Sequence, residues 1–94
     1  MEESIMKSIY AEQYRQIGLK IAYYRKLRGL TQEELAERVG LTPAYVGHLE
    51  APNISKALSL DTLFDIAAVL EVVPHKFLAF EDWCYAYYST YHRQ

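Results

Sequence analysis

Cysteine is almost missing from these 94 residues: Cys84 stands alone, so no disulfide can close within the chain, and the redox setting this fits is the cytosol. Long apolar runs are missing too. No stretch reaches the length needed to cross a bilayer as a helix. The first ten residues, with Glu2, Glu3 and Lys7 among them, hold no uninterrupted apolar block of the kind a secretory signal requires. A cytoplasmic protein with no membrane partner is therefore expected, and the sequon Asn53-Ile54-Ser55 is accidental without a secretory route. His75 and His92 lack metal-ligand spacing with Cys84 or with acids, and neither a Ser/His/acid grouping nor a phosphate-cradling glycine loop occurs. No metal, cofactor or enzymatic activity is expected, and Cys84 reads as a small apolar residue rather than a nucleophile or redox sensor.

A surplus of basic charge is the last absence: the formal net charge is −2, whereas non-specific affinity for nucleic acid comes mainly from Lys and Arg neutralising phosphates. The distribution alters that reading. Residues 14 to 56 carry Arg15, Lys20, Arg25, Lys26, Arg28, Arg38 and Lys56 against Glu33, Glu34, Glu37 and Glu50, a local balance of +3, and residues 57 to 94 carry two basic and five acidic groups. The chain is polarised, as a molecule with one phosphate-facing side would be. What is abundant is apolar residues, 51% of the chain, enough for a single domain over 1–94 with one modest core.

The densest local signals lie in Thr31 to Glu50, TQEELAERVGLTPAYVGHLE. Thr31 followed three residues later by Glu34 is a capping box, in which hydroxyl and carboxylate each satisfy an orphan backbone donor, so a helix begins near Gln32. Leu35, Ala36 and Val39 share one face at helical spacing, while Glu33, Glu34, Glu37 and Arg38 fall elsewhere and stay solvated. Gly40 then supplies a left-handed turn. Thr42 caps a second helix whose first residue, Pro43, sacrifices no intrahelical hydrogen bond, and Val46 and Leu49 face the core. Two short helices joined by a tight glycine turn make a helix-turn-helix.

Around this unit, Ile17, Ile21, Tyr24 and Leu27 repeat at helical spacing from Tyr14 onward, predicting a first helix that ends at Arg28-Gly29. Ile5 and Ile9 point to a helical extension toward Ser4 or a short separate helix, with Gly18 weakening a continuous one. Pro52 to Leu58 has no helical periodicity and reads as a loop. Ser59 caps a fourth helix with Leu60, Leu63, Phe64, Ala67 and Leu70 as its expected buried face, and Val73-Pro74 opens a short fifth helix bearing Phe77 and Leu78. The remaining tail, 81–94, holds Trp83, Tyr85, Tyr87, Tyr88 and Tyr91. Its propensity is strand-like, but Cys84, Tyr87, Tyr88 and Tyr91 also fit a helical stripe, and a helix is expected there. So many aromatics call for burial, either between two subunits, making 81–94 a dimerisation segment, or against the first and fifth helices of the same chain.

Gln32 opening its helix, Ala36 at the helix crossing, Gly40, Val46 and Leu49-Glu50, extended by Arg25 and by Leu60-Asp61-Thr62-Leu63, resemble the phage repressor and Cro-like family, often called the xenobiotic-response-element family. The resemblance spans roughly residues 14 to 80. It implies an all-α, five-helix repressor-like helix-turn-helix domain, here with an N-terminal helical extension and an aromatic C-terminal tail, in which the helix of residues 43–51 lies in the major groove of double-stranded DNA. By position, the family pattern makes Gln32 a phosphate anchor and Thr42, Pro43, Ala44, Gly47 and His48 the groove-facing residues, and it pairs Arg25 with Glu50 as a structural ion pair.

The groove-facing set is poor in donors. It lacks the Arg, Gln or Asn that make bidentate base pairs, which leaves His48 as the best base reader, Thr42 and Ala44 for thymine methyl contact, and Tyr45 for a phosphate or base edge. Asn53 and Lys56 in the following loop are candidate phosphate contacts, as are Lys20 and Arg28. The expected function is a sequence-specific transcriptional regulator acting on a DNA operator as a homodimer, because one helix reads only a few base pairs. The alternative is a protein-binding module, an antitoxin or assembly factor with a vestigial helix-turn-helix, which the sparse donors and acidic total favour.

Overall fold

The structure, a computed structural model, describes residues 9–80; the N-terminal extension before Ile9, the aromatic tail and Cys84 lie outside the described residues. Within them the order is α1 (Ala11–Leu27), α2 (Gln32–Val39), α3 (Pro43–Glu50), α4 (Leu60–Leu70) and a 3-10 turn at Pro74–Leu78. Among the described residues the architecture is all-helical, with four α-helices where five were expected. Pro74 to Leu78 is too short to offset the cost of nucleating an α-helix, so it closes i to i+3 bonds instead, with the Lys76 N–H donating to the Val73 carbonyl at 3.0 Å.

Capping determines where most helices begin. The Thr31 hydroxyl accepts from the Glu34 N–H at 3.0 Å while the Glu34 carboxylate accepts from the Thr31 N–H at 2.8 Å, completing the expected box. Thr42 and Ser59 do the same one-sidedly, each accepting from a backbone N–H three residues on at 3.1 Å. Tyr10 precedes α1 without a side-chain cap, and α1 starts three residues before its apolar stripe becomes visible at Tyr14.

The core is Ile17 and Ile21 of α1, Leu35 and Ala36 of α2, Val46 and Leu49 of α3, Leu63, Ile66, Ala67 and Leu70 of α4, and Phe77 of the 3-10 turn. Two expectations for α4 fail: Leu60 is 59% exposed and Phe64 49% exposed, and Ile66 takes their place inside. Apolar residues occupy more than one face of this helix, so spacing alone admits either stripe, and packing against α2 selects 63, 66, 67 and 70. Leu27 is likewise exposed, beyond the edge of the core.

Gly18 does not interrupt α1. It is buried where α3 crosses, and a Cβ there would stand 1.7 Å from the Leu49 carbonyl oxygen. The missing side chain lets the two backbones touch, which sets how deeply α3 seats on α1.

Candidate nucleic-acid interface

Three side chains from three elements fix α3. Arg25 of α1 donates through Nε to Glu50 Oε2 at 2.7 Å and through Nη2 to Glu50 Oε1 at 2.9 Å, a two-pronged pair closed off from solvent. Its Nη1 donates to the Leu30 carbonyl at 2.7 Å, so the guanidinium also ties the α1–α2 turn. Gln32 of α2 completes the cluster, its Nε2 donating to Glu50 Oε1 at 2.9 Å. The hydrogen bond to Glu50 raises the Arg25 pKa above its already high value, so the clamp stays charged. A buried carboxylate is tolerable only when its oxygens are satisfied in this way.

The clamp was expected as a pair and is a triad. Gln32 stands at the first turn of α2 as the phosphate role requires, but its amide nitrogen is directed at Glu50. What α2 can present to a phosphate is the backbone N–H groups of Gln32 and Glu33, since the Glu34 N–H is taken by Thr31, together with the positive end of the helix dipole.

On α3, Thr42, Pro43, Ala44 and His48 are exposed and Tyr45 and Gly47 half-buried. Ala44 and His48, four apart, share a face with Gly47 between them. A Cβ on Gly47 would make only ordinary contact, 3.5 Å from Gln32 Oε1, so the fold does not demand glycine here. Tyr45 serves the scaffold instead: its hydroxyl donates to the Ala57 carbonyl at 3.2 Å, and burial pushes its pKa up, keeping that proton in place. The Lys56 ammonium sits 5.1 Å from the centre of the Tyr45 ring, and the Ser55 hydroxyl donates to the Ala11 carbonyl at 2.9 Å. These contacts hold the second half of the loop after α3, and Asn53 stands exposed ahead of them.

Two further cations lie elsewhere than expected. Lys20 donates to the Ala79 carbonyl at 2.8 Å with the Phe80 ring beneath it, and Arg28 donates to the carbonyls of Leu70 and Glu71, capping the C-terminus of α4. Neither is turned toward α3. No signal in the sequence marked these partners, since both lie more than forty residues away.

A short α2, a left-handed glycine turn, and an α3 clamped by its last residue define the class. The chain belongs to the HTH_3 helix-turn-helix family, whose profile matches residues 21–78. It is similar to the HTH-type transcriptional regulator SinR of Bacillus licheniformis, 36% identical over 66 residues, 70% of this chain and 59% of that one. It is also similar to SinR of Bacillus subtilis, 37% identical over 62 residues, 66% of this chain and 55% of that one. The chain thus spans less than two thirds of these relatives' length. Among solved structures, SinR in complex with DNA, described as the master regulator for biofilm formation, superposes with a TM-score of 0.61 at 37% identity, over 66% of this chain and 97% of that one. The restriction-modification controller protein C.AhdI from Aeromonas hydrophila gives 0.63 at 31% identity, over 72% and 98%.

Proposed function

We propose that this protein is a transcriptional regulator that binds double-stranded DNA sequence-specifically, with α3 entering the major groove. The observation that supports it most is the buried Arg25–Glu50–Gln32 clamp, which holds α3 against both neighbouring helices while leaving Thr42, Pro43, Ala44 and His48 outside. A rigid helix with a stripped outer face suits docking into a groove. That a relative of this fold has been solved with DNA supports the same reading.

In this reading His48 reads a base edge, Thr42 and Ala44 meet thymine methyl groups, and Pro43 and Gly47 allow close approach. The first turn of α2, with Asn53 and Lys56 beyond α3, contacts phosphate. Two copies bind as a homodimer on half-sites about 34 Å apart. The donor-poor face favours the second reading, a protein-binding module that keeps the helix-turn-helix only as scaffold.

The experiment is a salt titration of binding to random and to selected duplexes. Affinity that falls as salt rises on both, with a tighter selected class, supports the DNA reading. Absence of duplex binding at low salt would leave the protein-binding module.

A further inference from the structure

An apolar groove of about 410 Å³ opens between the start of α1, the start of α4 and the end of the 3-10 turn. Tyr10, Tyr14, Leu60, Leu63, Leu78 and Phe80 line it, and no residue of α2 or α3 does. At its wall Gln13 carries a buried side-chain oxygen that finds no hydrogen-bond partner among the described residues. A groove far larger than the roughly 30 Å³ one water fills, walled by hydrocarbon and holding one unsatisfied acceptor, fits an occupant that is mostly apolar and brings a donor.

Phe80 is itself part of the lining and is the last described residue, so the next residues leave from the rim. That exit is anchored, because Lys20 bonds the Ala79 carbonyl and lies 5.6 Å from the centre of the Phe80 ring. The fourteen residues that follow include Trp83, Tyr85, Tyr87, Tyr88 and Tyr91, side chains that combine an aromatic body with an N–H or O–H donor. We infer that the groove is the docking site of the chain's own segment 81–94, whose aromatic rings fill it and whose tyrosine or indole donors satisfy Gln13. Attachment at the rim favours this occupant over any free one, since a short tether sets an effective concentration in the millimolar range. The segment then shields Leu60 and Leu78, apolar side chains the core leaves open.

Trp83 is the chain's single tryptophan and reports directly on this docking. In the 94-residue chain its emission is expected to be blue-shifted and independent of protein concentration down to where sedimentation shows monomer. Leu60→Asp and Leu78→Asp, both at exposed positions and the first at the start of a helix where a carboxylate is favourable, should red-shift it while helical circular dichroism stays unchanged. Water-like emission in the unsubstituted chain would overturn the inference, as would buried emission that ignores both substitutions. A blue shift that appears only as dimer forms would assign the groove to a second copy instead.

Discussion

At Gly18 a missing side chain does structural work that no present one could. Its position 1.7 Å from the Leu49 carbonyl, measured to where a Cβ would stand, leaves no flexible group to move aside. Gly18→Ala should therefore cost about 3 kcal/mol or more, at the upper end of overpacking, despite alanine's better helix propensity. Urea unfolding would measure it, and a stabilised variant would refute the contact. The clamp and the reading face make a second contrast. Glu50→Ala strands a buried guanidinium and should destabilise by about 3–5 kcal/mol. His48→Ala, on the exposed face, should leave stability within about 0.5 kcal/mol but relax base preference at one position per half-site by about 1–3 kcal/mol. Equal loss on every operator variant for His48→Ala would remove its assignment as a base reader. The Arg25–Glu50 pairing was legible through the family resemblance, whereas Gln32 as third member was not, because an amide's direction depends on the angle at which α2 meets α3.

Among the elements, three helices end in the same motif. After α1, α2 and α4 the chain turns through Gly29, Gly40 and Glu71 at φ of 75°, 74° and 59°, and the next residue's N–H donates back to the carbonyl five positions earlier. Two of these were visible as glycines. The third was not, since glutamate carries no such signal and is held left-handed by the turn into the 3-10 segment, with Arg28 donating to its carbonyl. Glu71→Gly removes that strain and should stabilise by up to about 1 kcal/mol, read as a raised thermal midpoint; a loss would mean the Glu71 side chain contributes more than its backbone costs. At the other end of α1, the hydrogen bond from Arg15 holds the Glu12 carboxyl down to about 2, with Gln16 assisting. A depressed pKa contributes stability above about 4.5 that is lost as pH falls toward 2. The pair is half open to solvent and screened, so Glu12→Gln should flatten the acid limb of the stability curve by less than about 1 kcal/mol.

For the whole molecule, the basic surplus over residues 14–56 overstates what faces a ligand. Arg15 pairs with Glu12, Arg25 is buried on Glu50, and Lys20 and Arg28 are directed at backbone carbonyls. Lys26 and Arg38 remain exposed without an ion-pair partner among the described residues, beside Lys56 at the loop. With so few cations to displace counterions, the slope of log affinity against log salt should be shallow, roughly −2 to −4 per protomer. A much steeper slope, measured by titration, would require phosphate contacts from other residues.

Cap, turn and apolar spacing are properties of neighbouring residues, so the starts of α2 and α3, the Gly40 turn and the core contributions of Ile17, Ile21, Leu35, Val46 and Leu49 were legible along the chain, although α3 ends at Glu50, one residue before the 43–51 expected. Choices between equivalents needed the tertiary structure. Packing against α2 decided that Ile66 rather than Leu60 or Phe64 enters the core, the brevity of the segment after Pro74 made it a 3-10 turn, and the backbone contact at Gly18 set the seat of α3. Partners distant in sequence, such as Lys20 with Ala79 and Arg28 with the end of α4, likewise became apparent only in the folded chain, because hydrogen bonds between remote residues leave no periodic trace along it.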